Sequence, residues 1–265
     1  MALPFHRPRV APLLGAGLTL ALLVLPTPRA HSTILLFDQE RDAATQSIVG
    51  PTSSGGRVPL DYGDNVTGPR MAVPGGFFTY GEAGEGFTPD ITLEIFSASA
   101  TPTDPRVALW QRDYGDLVNV IFAEGPGVGG SPELNIRFSA APGYSALLYG
   151  FELAGWSNAD YVIAGVRVLA GATTLFTESD VLVEGNSSGP RHTTFAFATP
   201  LSGAELLLQL DLSNLATSLQ DNVGIDSIRF GQSPPAVPEP ATGILLLCGL
   251  TLTAAVERRL REGPA

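Results

Sequence analysis

Period-two alternation of apolar and polar residues, repeated from residue 91 to residue 230, limits this chain more than any other feature. Ile91, Leu93 and Ile95 alternate with Thr92 and Glu94, and Leu134, Ile136 and Phe138 alternate with Asn135 and Arg137. Leu206, Leu208 and Leu210 face away from Gln209 and Asp211, and Tyr149, Phe151 and Leu153 repeat the pattern around Gly150 and Glu152. Val166 and Val168 flank Arg167, and Thr193, Phe195 and Phe197 fall on one face. Successive side chains of a strand point to opposite faces, so each run predicts a strand with one apolar side. Apolar runs at 33–37, 107–110 and 117–122, and the set Val223, Ile225, Ile228 and Phe230, add further strands. No stretch between 31 and 230 sustains a helical period. Eight or more short strands with turn residues between them predict an all-β fold: an antiparallel β-sandwich, jelly-roll-like, with its inner faces packed together.

Residues 38–86 interrupt the pattern. They are rich in Gly, Pro, Ser and acids, with turn-like Tyr62-Gly63-Asp64-Asn65 and Tyr80-Gly81-Glu82. So long a stretch without regular elements is either a functional loop or is ordered by packing against the rest. Gly125-Pro126-Gly127-Val128-Gly129-Gly130 matches no nucleotide-binding spacing and reads as a loop.

The two ends read differently from the middle. His6, Arg7 and Arg9 precede an apolar stretch at 10–25, and Pro26-Thr27-Pro28-Arg29-Ala30 closes it. This is the layout of a secretory signal peptide over 1–30, with a mature start near His31; an uncleaved signal anchor is the alternative. At the other end Pro238, Glu239 and Pro240 form an extended tripeptide within a linker at 231–240. Sixteen residues without a charged side chain follow, 241–256, and then Arg258, Arg259 and Arg261. The run is slightly short of a usual membrane span, and Leu260 with the arginine stems extends it. Arginines directly after an apolar segment mark a cytoplasmic side. The expected organisation is therefore signal peptide 1–30, β-sandwich ectodomain 31–230, linker 231–240, and a transmembrane helix with a basic tail at 241–265.

Proline-glutamate-proline, a short apolar helix and an arginine cluster, in that order, closely resemble the C-terminal sorting signal of bacterial PEP-CTERM proteins. The resemblance implies recognition of Pro238, Glu239 and Pro240 by a membrane processing enzyme, exosortase. It further implies a transient membrane anchor and a destination at the cell surface or in extracellular polymer. It implies no catalytic role.

Charge narrows the partners of the exported part. Of the 26 acids in the chain, 23 fall within 31–230, against nine arginines, a net of about −14; the chain contains no lysine. That excess excludes nucleic acid and anionic membrane surfaces as natural partners. It suits solubility outside the cell, or divalent cations. The single cysteine, Cys248, lies in the apolar C-terminal run, so the ectodomain has neither disulfide nor thiol chemistry.

A second resemblance covers the ectodomain. Glu85-Gly86-Phe87-Thr88-Pro89, Leu148-Tyr149-Gly150-Phe151-Glu152-Leu153 with Trp156, and the stretch from Asp221-Asn222-Val223-Gly224 to Arg229-Phe230 resemble ectodomains attached to PEP-CTERM signals. Those are similar to galactose-binding-like jelly rolls, a fold used by carbohydrate-binding modules. Jelly rolls of that kind often hold a calcium where the first and last strands meet. The resemblance thus points to Asp38, Glu40 and Asp42 after the first strand, and to Asp221 and Asp226 at the last, as candidate oxygen ligands. Turn-capping and solvated carboxylates are the alternative.

No catalytic constellation emerges. His31 and His192 have no metal-ligand spacing, and no serine has a nucleophile-elbow context. Sugar binding calls for exposed rings, and Trp110 and Trp156, with Tyr114 and Tyr161, are the candidates; Trp156, after a strongly alternating strand, is expected in the core, which leaves Trp110 and Tyr114 foremost. The leading expectation is a non-enzymatic exported protein whose sandwich binds polysaccharide, with calcium as the candidate cofactor. A purely structural, self-associating surface protein and a polysaccharide-active hydrolase are the alternatives.

Overall fold

The computed structural model describes residues 31–37, 40–41, 48–49, 56–58, 62–67 and 86–233. The segment 1–30 read as a signal peptide, the expected linker from residue 234 on with Pro238, Glu239 and Pro240, and the C-terminal run with Arg258, Arg259 and Arg261 lie outside the described residues; residues 231–233, expected as linker, instead continue the last strand, where they pair with its neighbours.

Fourteen strands and one short 3-10 helix make up the described chain. In order they are β1 (His31–Leu35), β2 (Glu40–Arg41), β3 (Ile48–Val49), β4 (Gly56–Arg57), β5 (Ile91–Ser97), β6 (Val107–Trp110) and β7 (Val120–Ala123). There follow β8 (Glu133–Ala140), β9 (Ser145–Gly155), β10 (Tyr161–Ala170), β11 (Thr173–Val183), β12 (Thr193–Gly203), β13 (Glu205–Asp211), the 3-10 helix Thr217–Asn222 and β14 (Val223–Ser233). Every pairing is antiparallel. One sheet has seven strands in the order β12-β9-β14-β7-β6-β4 with β1 also on β14, and a second has five in the order β11-β10-β13-β8-β5. Inward side chains of both sheets share one core, including Leu93, Phe138, Leu208, Phe151, Ile225 and Phe230. Phe138 of the smaller sheet meets Phe230 of the larger at 5.3 Å between ring centres. The chain is an all-β sandwich, as the alternation requires.

Three strands depart from simple alternation. In β9, Ala146 and Leu148 are buried, then the phase changes and Phe151 and Leu153 are buried, so Tyr149 does not share their face. The pairings of β9 with both β12 and β14 slip at this point, which is how an added residue turns the following side chains over. Gly150 is required there, because a Cβ would come within 2.2 Å of the Phe195 carbonyl oxygen. Ile225 and Ile228 in β14 sit on either side of a matching irregularity, where Ser227 has φ +51°. The run expected from 117 begins as a strand only at Val120, and Leu117 instead closes a turn by donating its N–H to the Tyr114 carbonyl at 2.9 Å.

Strand β11 has no counterpart among the expected strands. It is an edge strand, exposed on both faces over most of its first eight residues, so no apolar periodicity marks it. Between β11 and β12 the side of the sandwich is closed by rings: Phe176 lies 5.9 Å from Phe195 and 5.2 Å from Phe197, and Phe195 stacks on Phe151 at 4.8 Å.

The described parts of the irregular 38–86 stretch are ordered by packing. Val58, Tyr62 and Val66 are all buried in the main core. Phe37 leaves β1 with φ +52°, stacks on Tyr62 at 5.1 Å, and donates its N–H to the Tyr62 hydroxyl.

Candidate functional site

At one end of the larger sheet, the last residue of β6, the first of β7, the end of β9 and the start of β14 come together, with Trp110 opposite Val120, Gly224 opposite Phe122 and Gly155 opposite Val223. Leu109 and Ile121 point into the sandwich, so Trp110 and Phe122 point to the outer face. The turn at 111–119 folds back over that face. Its Tyr114, with Leu117, Val120 and Ala154, forms a second small core against which Trp110 and Trp156 pack. The sandwich thus carries an aromatic cluster outside its main core.

Tyr114 is the keystone of the cluster. Its ring is 2 % exposed, and its hydroxyl donates to the Asp221 carbonyl oxygen at 2.7 Å. Gly224 makes room for that ring, since a Cβ there would lie 2.9 Å from two Tyr114 ring carbons and 2.6 Å from Val120 Cγ2. Trp156 is tied in by its backbone: its N–H donates to the Asn222 carbonyl at 2.7 Å, and it bridges to Tyr114. The Asn222 side-chain amide donates to the Tyr161 hydroxyl at 2.9 Å. The glycine loop 125–130 fixes the other side. Gly130 donates its N–H to the Thr217 carbonyl, and a Cβ on Gly130 would come within 2.2 Å of the Asp221 nitrogen.

Between these elements lies a small cavity of about 90 Å³, lined by Trp110, Tyr114, Phe122, Trp156, Asp221 and Asn222. Trp110 stands nearly perpendicular to Trp156, with ring centres 5.9 Å apart, and to Phe122 at 6.4 Å. Such edge-to-face contacts suit ring quadrupoles and set the rings as walls. Two atoms of the lining residues, Trp156 Nε1 and Asp221 Oδ1, are shut off from solvent, do not open onto the cavity, and lack a hydrogen-bond partner. Leaving a buried donor or acceptor unpaired costs roughly 1–3 kcal/mol each, and Arg106 Nε and Arg137 Nε, away from this cavity, are in the same position. Burial raises the Asp221 carboxyl above the usual carboxylate range; the charge of Glu124 adds to this, and a backbone hydrogen bond offsets part of it. Burial likewise pushes the Tyr114 hydroxyl well above the ordinary tyrosine value, helped by Asp221 and Tyr161, so it remains a neutral donor.

The turns that carry these residues are conformationally unusual. Asp113, Asn119, Ser157 and Asn158 all have positive φ, near +67°, +62°, +60° and +53°. Asn158 donates its N–H to the Asp113 carbonyl and ties the two turns together. Left-handed non-glycine residues are costly and gather where surrounding structure demands a set geometry.

Trp110 and Tyr114, the ring candidates read from the sequence, therefore meet in one cavity. Tyr114 is a correction: expected as an exposed ring, it is buried under the cavity with its hydroxyl given to the Asp221 carbonyl, because the turn 111–119 folds back onto the sheet, while Trp110 is half-buried and forms a wall. Trp156 is a correction: it lies on the outer face beside Trp110, not in the main core, because β9 ends at Gly155 and the chain turns away. Phe122 and Asn222 were not legible as site residues; their strand and turn positions alone give no such signal.

The calcium candidates do not come together among the described residues. Asp38 and Asp42 lie outside them, and Glu40 is described only as backbone in β2. Asp226 is buried on β14 opposite Glu152, next to the segment paired with β1, whereas Asp221 precedes β14 and lies beside Trp156. Among the described residues no group of three His, Cys, Asp or Glu side chains converges as metal ligands.

A larger hollow of about 640 Å³ runs along β5, lined by Asp64, Glu94, Phe96, Thr101 and Arg137 among others. Its two carboxylates are committed to structure. Asp64 accepts the Leu93 N–H at 2.6 Å, and Glu94 pairs with Arg137, whose guanidinium lies 5.3 Å from the Phe96 ring centre.

No known family matches the chain, and no curated protein matches it. Among solved structures, the family 32 carbohydrate-binding module from C. perfringens NanJ in complex with galactose is similar at 10 % identity, with a TM-score of 0.26. That similarity covers 54 % of this chain and 93 % of the module.

Proposed function

We propose that this chain is an exported, non-catalytic protein of the cell surface or extracellular matrix, and that its jelly-roll-like sandwich binds polysaccharide at the Trp110–Trp156 cavity. The observation that carries the reading is the cavity lining. It combines ring walls, which suit the C–H faces of a sugar, with the half-buried Asp221 side chain at their edge. Export rests on the signal-like segment 1–30 and the sorting-like C-terminus around Pro238, Glu239, Pro240 and Arg258, Arg259 and Arg261, with an exosortase-type enzyme as processing partner. Retention of the full chain on extracellular polymer from producing cells is the test for binding. Trp110→Ala and Trp156→Ala are expected to lose retention, and variants that fold and are retained like the parent would sink the site. For export, fractionation with sequencing of both termini is decisive; an uncleaved chain held in the inner membrane would overturn the sorting reading.

A self-associating structural role is the second reading. Val162 and Leu182 face each other across β10 and β11 at 47 % exposure each, an apolar pair open to solvent. Against it, the same edge strand carries Glu178 and Asp180, charges that discourage edge-to-edge pairing. A concentration series in sedimentation decides between the two, since the binding reading requires no assembly.

A further inference from the structure

The loop between β11 and β12 carries an acceptor that the polysaccharide reading does not use. We propose that Asn186 is a site of N-linked glycosylation, modified on the export side of the membrane by a transferase whose donor is an oligosaccharide carried on a polyprenyl pyrophosphate. This rests on the export part of the reading above and adds a covalent modification to it.

Asn186-Ser187-Ser188 has the N-x-Ser acceptor spacing, and the loop that holds it has a fixed base and a free tip. At the base, Glu184 donates its N–H to Thr193 Oγ1 at 2.9 Å, and Asp160 Oδ1 accepts the N–H groups of Gly185 and Asn186, each at 2.9 Å. The tip, residues 186–190, is exposed throughout. There Asn186 Oδ1 accepts the Ser188 N–H at 3.0 Å and the Ser188 hydroxyl at 2.9 Å. Two donors fix which side-chain atom is the oxygen, and Nδ2 makes no hydrogen bond among the described residues. An amide nitrogen is a poor nucleophile because its lone pair is shared with the carbonyl. Donors on Oδ1 draw electron density towards the oxygen and make the Nδ2 protons easier to remove, so the turn prepares the atom that must react.

In the transfer, Asn186 Nδ2 forms a bond to the anomeric carbon of the donor sugar. The bond from that carbon to the pyrophosphate oxygen breaks, the pyrophosphate leaves with the electron pair, and one Nδ2 proton passes to a base of the transferase. Nothing is oxidised or reduced. Glu184, two residues before the acceptor, is half-buried and takes part in no ion pair among the described residues. Its carboxylate is thus free to accept a charge-assisted hydrogen bond from the transferase. The chain's other triplet of this spacing, Asn65-Val66-Thr67, has neither the free tip nor the acid. Val66 is buried in the main core, the Asn65 N–H donates to the Ile91 carbonyl at 2.8 Å, and Gly63 stands two residues before the asparagine.

The test is peptide mass spectrometry of the full chain recovered from outside producing cells. The tryptic peptide from Val168 to Arg191 contains Asn186 and no other asparagine. It is expected to carry a glycan mass that fragmentation places on Asn186, while the peptide from Val58 to Arg70, with Asn65, is expected to carry none. Asn186→Gln and Ser188→Ala should abolish the modification, and Ser188→Thr should keep it. Both side chains bond only within the exposed tip, so these variants are expected outside the cell at the parent's level. Glu184→Gln should lower the ratio of modified to unmodified peptide about tenfold, the worth of one charge-assisted hydrogen bond. An exported chain with an unmodified Val168–Arg191 peptide overturns the glycosylation and leaves export standing. A sugar mass that survives Asn186→Gln sits on a hydroxyl and overturns it as well. A chain held inside the cell and unmodified overturns both.

Discussion

Tyr114→Phe isolates the hydrogen bond that holds the cavity together. The substitution keeps the buried ring, with its contacts to Val120 and Gly224, and deletes only the hydroxyl that donates to the Asp221 carbonyl at 2.7 Å. A neutral hydrogen bond contributes about 0.5–1.5 kcal/mol net, and an acceptor left without its donor adds to the loss. The expected destabilisation is therefore about 1–2 kcal/mol. For a domain of this size that corresponds to a fall in Tm of about 2–8 °C. Unfolding followed by tryptophan fluorescence reads this region directly, because the chain's two tryptophans both line the cavity. Alkali gives an internal check. The Tyr114 hydroxyl, facing Asp221 and Tyr161, titrates higher folded than unfolded. Its contribution is thus complete below the ordinary tyrosine value and is lost as pH rises through the folded one. The gap between parent and Tyr114→Phe should narrow above about pH 10. A variant as stable as the parent within about 0.3 kcal/mol at neutral pH would refute the keystone role.

Two further substitutions probe the same place. Gly224→Ala sets a Cβ 2.6 Å from Val120 Cγ2 and 2.9 Å from the Tyr114 ring, and the overpacking should cost about 1–3 kcal/mol in urea unfolding; no loss would mean that the turn 111–119 yields freely. Asp221→Asn should leave the unliganded protein more stable at neutral pH. The Asp221 carboxyl titrates higher folded than unfolded, so the cost of its charged form sets in as pH rises past the unfolded value and is complete above the folded one. Melting curves at pH 4 and pH 7 check the sign, with the variant's advantage larger at pH 7. An Asp221→Asn protein less stable than the parent at pH 7 would instead make the carboxylate a structural partner.

Most of the sandwich was legible because burial on one face writes itself as alternation. Strands β5, β8 and β13 fall where Leu93, Leu134 and Leu208 put them, whereas the irregularity of β14 between Ile225 and Ile228 was not foreseen. Strand β11 was not legible, since an edge strand with two exposed faces has no reason to alternate. Tyr149 misled for a related reason: a one-residue slip at Gly150 reverses the faces, and period-two reading assumes an unbroken register. The site was half legible. Trp110 and Tyr114 stood out as rings near turns, whereas Trp156 looked like core because it follows the most strongly alternating strand. Its neighbours Phe122, Asp221 and Asn222 join it only through the pairing of β7, β9 and β14. Long-range pairing of that kind leaves no local mark in a single sequence.

Polysaccharide binding, as proposed, depends on entry of the polymer into the cavity between Trp110 and Trp156. Fluorescence titration of the full chain with extracellular polymer from producing cells tests it without any substitution, because no other tryptophan contributes. The expected result is a saturable change in intensity and emission maximum that tracks retention on the same polymer. Polymer retained by the protein with no change in tryptophan emission would put the binding surface elsewhere and contradict it.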